Sequence, residues 1–229
     1  MPKRHIKIMY TTDIHLRDNV PSCRIDDFYN VQFNKIKEIV RIFKEEEIDY
    51  WINGGDLFDT YDPSHSIVNE FTSIIDPLQQ PIYTICGSHD MLGYNMDLIH
   101  KTAMGNLLMN GYVKLLGKDL LLFRKYDRIV SIKGIHARKK LDYADYAIDG
   151  TGTSIIVTHD PIVIKPVIYE HMLISDVAKA TNANFVLCAH IHTQFDMAER
   201  LSRFINPGPM SRQTTLEMEL KPKVCILEV

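Results

Sequence analysis

The sequence predicts an α/β fold in which parallel strands are covered by helices. Two observations carry this. Short apolar runs alternate with longer helical patterns through the first half of the chain, and that alternation places parallel strands under crossover helices. The runs are also rich in Ile, Val and aromatic residues and end in polar or glycine-containing segments, as buried strands do.

The first strand is expected at Ile6 to Tyr10. A helical pattern follows over Asp26 to Glu47, where Ile36, Ile39, Val40 and Phe43 recur at helical spacing and Glu45, Glu46 and Glu47 close the polar end. Tyr50 to Asn53 is the second strand. A helix over His65 to Leu78 comes next, stopped by Pro77 and Pro81. Ile82 to Cys86 is the third strand. Ser154 to Thr158 and Phe185 to Ala189 are later strands, with a helix over Tyr169 to Thr181 between them. Tyr112 to Ile135 and Gln194 to Val229 hold short strand-like runs without strong helices, and are expected as antiparallel additions. No repeat, low-complexity tract or long linker divides the chain, so residues 1–229 are read as one domain.

At 229 residues the chain is long enough to bury a sizeable core. Hydrophobic residues make up 45% and charged ones 24%, as in ordinary soluble globular proteins. The net charge of -3 excludes the strongly basic balance that alone would indicate nucleic acid, so any such contact must come from a local patch or from metal ions. Cys23, Cys86, Cys188 and Cys225 are far apart with no Cys-x-x-Cys pair, and are read as reduced thiols. Reduced thiols, an N-terminus (Met-Pro-Lys-Arg-His) without signal-peptide character and no run of membrane-spanning length together predict a cytoplasmic protein that is not in a membrane.

The ends of the strand runs carry the chemistry. They read Asp13-Ile14-His15, Gly54-Gly55-Asp56-Leu57-Phe58-Asp59, Gly87-Ser88-His89-Asp90, Thr158-His159-Asp160 and Ala189-His190-Ile191-His192. In open α/β sheets, sites form beyond the carboxyl ends of strands, so these segments are expected to converge. In Asp13-x-His15 and His190-x-His192 the side chains are two apart, which on extended backbone points both to one side. Gly54 and Gly55 permit a tight turn that brings Asp56 close to bound ions. Carboxylate with imidazole suits Mn, Fe or Zn better than Ca. Any one motif alone is explained as well by a turn, a helix cap or a surface histidine. All of them in order, each after a strand-like run, point to two divalent ions a few Å apart, with Asp56 able to bridge them. Such a pair activates water and clamps both oxygens of an in-line displacement at phosphorus.

With these residues in place, the chain resembles the calcineurin-like metallophosphoesterases from Ile6 to about Arg212. Within them it is most similar to the SbcD/Mre-type nucleases of double-strand-break repair. That narrower likeness rests on Gly55-Asp56-Leu57-Phe58-Asp59-Thr60 followed by Pro63-Ser64, on Asn206-Pro207-Gly208-Pro209-Met210-Ser211-Arg212, and on the ending from Lys221-Pro222-Lys223-Val224 to Glu228-Val229. The resemblance implies a four-layer αββα sandwich of two mixed β-sheets flanked by helices. It implies one ion held by Asp13, His15 and His192, and another by His159, His190 and the residue at position 88, with Asp56 between them. It implies that His89 meets the scissile phosphate or the leaving oxygen and that Asp90 orients His89. Where the family has Asn, this chain has Ser88, a shorter and weaker ligand, so the second ion is expected to bind less tightly.

The activity implied is hydrolysis of phosphodiester bonds through a dinuclear-metal-activated water, most readily with Mn, on DNA as an exonuclease or endonuclease. An SbcC-type ATPase partner and a homodimer are implied as well. The family's DNA-capping region and ATPase-gripping segment are not recognised in the chain. Cyclic nucleotides, nucleotides or phosphoprotein are the rival substrates, and a metal-binding subunit weakened at Ser88 is the rival of another class. Asp59, His136 and Arg212 are read as candidate substrate contacts, and Arg138-Lys139-Lys140 as a small basic patch. Tyr61 and Tyr94 are candidates for stacking on a base. Phe71, Ile74 and Ile75 suit a dimer face or the core.

Overall fold

A computed structural model describes residues 5–229, so Met1 to Arg4, read above as part of an N-terminus without signal-peptide character, lie outside the described residues. In chain order the elements are β1 (Lys7–Thr11), α1 (Phe28–Glu45), β2 (Tyr50–Asn53), α2 (His65–Ile75), β3 (Ile82–Thr84), α3 (Ala103–Met109), β4 (Val113–Leu115), β5 (Leu121–Lys125) and β6 (Arg128–Ile135). They continue with β7 (Thr153–Thr158), β8 (Ile162–Val163), β9 (Met172–Leu173), α4 (Ile174–Ala180), β10 (Phe185–Cys188), β11 (Phe195–Glu199), β12 (Ser202–Asn206) and β13 (Cys225–Glu228). One sheet has the order β13-β1-β2-β3-β4, and a second the order β11-β12-β10-β7-β6-β5. β8 and β9 form a small pair of their own.

Alternation along the strands builds the layers. In β1, Ile8 and Tyr10 face the second sheet and pack with Ile155, Val157, Leu187 and Ile205, while Met9 faces the helices and packs with Phe33, Ile36, Ile67 and Phe71. In β7 and β10, Ile156 and Val186 turn outward to meet Ile174 and Val177 of α4. Helices, sheet, sheet and helix thus stack as four layers around three apolar seams, as the resemblance implies. Side chains start the two long helices: Asp27 accepts the N–H of Asn30 ahead of α1, and Ser64 accepts that of Ile67 ahead of α2. Among the described residues no helix is long and apolar enough to cross a membrane.

Several expectations need correction. Of the strands expected as antiparallel additions, β4 runs parallel to β3, β6 to β7 and β12 to β10; only β5, β11 and β13 are antiparallel. Each of the three antiparallel strands is an edge strand. The helix expected over Tyr169 to Thr181 is confined to α4, because Met172 and Leu173 pair as a strand with Ile162 and Val163. α3 was not expected; its seven residues, capped by the Thr102 side chain, are too short for a periodic signal. Phe71 and Ile75 are buried in the chain's own core, with Ile74 packed against it.

Candidate metal centre

Both sheets present the carboxyl ends of their parallel strands to one place. From the first sheet come Asp13 and His15 after β1, Asp56 after β2, and Ser88 and His89 after β3. From the second come His159 after β7 and His190 and His192 after β10. Two bonds lock the sheets together beneath them. The buried Tyr10 hydroxyl donates to the Cys188 carbonyl at 2.7 Å. The backbone N–H of His190 donates to the Asp13 carboxylate, 3.2 Å from each oxygen.

The side chains fall into three overlapping groups able to hold an ion: Asp13, His15 and His192; His15, Asp56 and His89; and Asp56, His159 and His190. Asp56 belongs to two of them. Its Oδ2 lies 3.1 Å from His159 Nε2 and 3.8 Å from His15 Nε2, and its Oδ1 accepts the His89 backbone N–H at 2.8 Å. Asp13 Oδ1 lies 3.8 Å from Nε2 of both His15 and His192. Ser88 lines the recess beside His159 and His190.

The backbone reaches this arrangement against its own preference. Asp13, His15, Asp56 and His190 all have positive φ, at 48°, 51°, 49° and 67°. Non-glycine residues rarely occupy that region, and such strain concentrates at functional sites. This also corrects the geometric reason given above for Asp13-x-His15: the pair converges through left-handed turns, not extended strand. Glycine is required where the turns touch. Gly55 has φ +95°, and a Cβ on Gly87 would lie 2.1 Å from Asp56 Oδ1.

Electrostatics follow from burial and close opposite charge. Burial alone would raise the Asp56 carboxyl, but His159, His15 and His89 overcome it and hold Asp56 well below the usual range. Burial would likewise lower His159, yet the facing Asp56 lifts it to about 10. His190, buried and beside His159, is pushed down to about 4. Nδ1–H of His159 donates to the Gly54 carbonyl at 2.7 Å, which turns Nε2 toward Asp56.

His15 tests whether the set suits a cation. Its ring is buried, and neither nitrogen has a hydrogen-bond partner. The nearest carboxylate on the Nδ1 side, Asp59 Oδ1, is 3.3 Å away but off hydrogen-bond geometry. Two ligands each about 2.1 Å from one ion sit roughly 3–4 Å apart, which is the spacing of His15 Nε2 from Asp13 and Asp56. A buried imidazole backed by Asp59 on one side, with Nε2 free of any hydrogen-bond partner and facing two carboxylates, fits a divalent cation.

Other predicted site residues serve elsewhere. Asp90 does not bond His89. Its buried carboxylate accepts backbone N–H groups from Asp56 and Gly87 at 2.8 Å each, from Leu57 at 3.1 Å and from Phe58 at 3.5 Å. His89 is oriented instead by the Asp59 carbonyl, which receives its Nδ1–H at 2.7 Å. The Asp59 side chain meets His15 at 3.3 Å and Arg17 at 3.1 Å, which places it behind a candidate metal ligand. His136 is a structural acceptor: Nδ1 takes the Cys86 N–H at 2.9 Å. Arg212 donates to the Met218 carbonyl at 2.8 Å and lines a separate recess with Arg24 and Thr215. Arg138 of the basic patch is committed to Asp160 and Asp145.

One residue was missed. Glu217 is buried, and its Oε1 lies 2.5 Å from His192 Nδ1, while its Oε2 accepts the N–H groups of Gln213 and Thr214. Carboxylate–histidine pairs of this kind fix the ring of a metal ligand. Thr214-x-x-Glu217 has capping-box spacing, which signals a turn but says nothing of a partner 25 residues away.

Comparison with known proteins agrees with this geometry. The DNA double-strand break repair protein Mre11 of Thermoplasma acidophilum is 33% identical over 87 residues, which are 36% of this chain and 22% of that protein. The solved structure of TT1561 of Thermus thermophilus shares the fold at 13% identity, with a TM-score of 0.58 and 90% of each chain covered. So does the calcineurin-like phosphoesterase YfkN of Bacillus subtilis, at 13% identity and a TM-score of 0.59, covering 90% of this chain and 81% of that one. The family model of the calcineurin-like phosphoesterases matches residues 6–194, a span that takes in every motif from Asp13 to His192, and the chain belongs to that family.

Proposed function

We propose that this protein is a metal-dependent phosphodiesterase that acts on DNA, at ends or in single strands, with Mn as its working ion. The observation that carries the reading is the position of Asp56 between the two ligand sets, its Oδ2 3.8 Å from His15 Nε2 and 3.1 Å from His159 Nε2, the arrangement a paired-ion site needs. Asp13, His15 and His192 would hold one ion, and His159 and His190, with Ser88, the other. The chemistry such ions supply when bound is Lewis acidity at the phosphoryl oxygens and an acidified water. The residues do the rest. Asp56 holds the two groups in register through the His89 N–H and His159. Glu217 and the Gly54 carbonyl fix the rings of His192 and His159. His89, its Nδ1–H given to Asp59, keeps Nε2 for the reactant. The neutral ring accepts a proton there, and the doubly protonated ring donates one to the leaving oxygen. The identity with Mre11 over 87 residues supports DNA over other phosphodiesters.

The test is hydrolysis of bis(p-nitrophenyl) phosphate and of labelled single- and double-stranded DNA with added Mn. The expected result is cleavage of both, abolished by Asp56→Ala and His89→Ala. Cleavage of the small diester alone would remove DNA from the reading. No cleavage by folded, metal-loaded protein would refute it, and activity appearing only in Ser88→Asn would favour a subunit weakened at that position.

A further inference from the structure

A recess of about 240 Å³ opens directly beside the candidate metal ligands, lined among others by Ser88, His159, His190, Tyr94, Lys139 and Glu170. Tyr94 is held there in an unusual way. It has φ +62° and follows Gly93 at φ +64°, so two consecutive residues adopt the left-handed conformation. The ring is 41% exposed, so core packing does not account for the strain. Lys139 places its ammonium 5.9 Å from the centre of that ring. Arg138 beside it is neutralised by Asp160 and Asp145, whereas Lys139 has no carboxylate within ion-pair distance among the described residues.

We propose that this recess is a nucleotide subsite, in which Tyr94 stacks on a base and Lys139 holds an adjoining phosphate. The proposal rests on the phosphodiesterase reading and names the recognition element of the same site. An aromatic ring with an ammonium over one face and its other face available for stacking offers a base and a phosphate their partners together, as single-stranded nucleic acid uses them. The volume falls below the roughly 300–1,000 Å³ of drug-sized pockets, which leaves room for one base with its sugar and not for a peptide segment.

The test compares equilibrium binding of two cleavage-resistant phosphorothioate probes to metal-loaded protein: a labelled hexathymidylate, and an abasic hexamer of the same charge. The expected result is that wild type binds the thymidylate roughly five- to fiftyfold more tightly, in the range of stacking one base. Tyr94→Ala abolishes that preference and Tyr94→Phe keeps it. Lys139→Ala weakens both probes by the same factor, as loss of a phosphate contact does. Equal binding of both probes by wild type, or a preference that survives Tyr94→Ala, would overturn the proposal. Wild-type hydrolysis of bis(p-nitrophenyl) phosphate, measured alongside, tests the phosphodiesterase reading separately, because it does not depend on a base.

Discussion

Asp90 lies under the candidate metal centre without belonging to it, and Asp90→Asn isolates what it does. In the native protein Oδ2 accepts the N–H groups of Asp56 and Gly87 at 2.8 Å each, and Oδ1 accepts that of Leu57 at 3.1 Å. The amide that replaces one oxygen keeps an acceptor for one side and turns an NH₂ group on the other. Two buried N–H groups then face a donor, and each such loss costs roughly 1–3 kcal/mol, so the substitution should cost about 2–6 kcal/mol. That is a large part of the ~5–15 kcal/mol that holds a domain folded. The assay is urea unfolding at pH 8. Burial and the neighbouring Asp56 charge push the Asp90 carboxyl up to about 6, so at pH 8 it is ionised. Because either placement of the amide loosens the 56–58 turn that carries Asp56, ion affinity measured by calorimetry should fall with stability. A loss of stability below about 1 kcal/mol together with a large loss of activity would refute this reasoning, and would return Asp90 to the role of orienting His89.

Two further outcomes follow from the same geometry. Glu217→Gln keeps an acceptor for the Gln213 and Thr214 N–H groups but removes the carboxylate charge facing His192 Nδ1, so a Mn titration should show one site weakened by about 10–100-fold and the other unchanged. Equal affinity at both sites would sink it. His136 is held down to about 4 by burial and by His159, against an ordinary value of 6.5. Between these values the unfolded chain binds the extra proton and the folded one does not, so stability is lost as pH falls from 6.5 to 4, by up to about 3 kcal/mol. His136→Asn, which can still accept the Cys86 N–H, should flatten this part of the stability–pH curve; an unchanged slope would assign it to another group.

Strand ends bearing Asp and His were legible because short apolar runs and the residues that end them are local features. β1, β2, β3, β7 and β10 therefore lie within a residue or two of where they are expected. Strand direction was less legible. β4, β6 and β12 are parallel because connections too short or too irregular to read as helices still return the chain to the same edge. What each polar side chain does was the least legible. Asp90 and His89 are adjacent in sequence, yet one points into the 56–58 backbone and the other toward Asp59. Glu217 reaches His192 from a segment whose spacing advertised only a turn. Partners of this kind are set by tertiary approach, which a single sequence does not encode in any local pattern.

The left-handed backbone at Asp13, His15, Asp56 and His190 also sets how substitutions at these positions will read. Glycine or asparagine would adopt these four conformations with less resistance. Asparagine at any of the four should therefore ease the backbone while removing a candidate ligand, so that stability and metal affinity move in opposite directions.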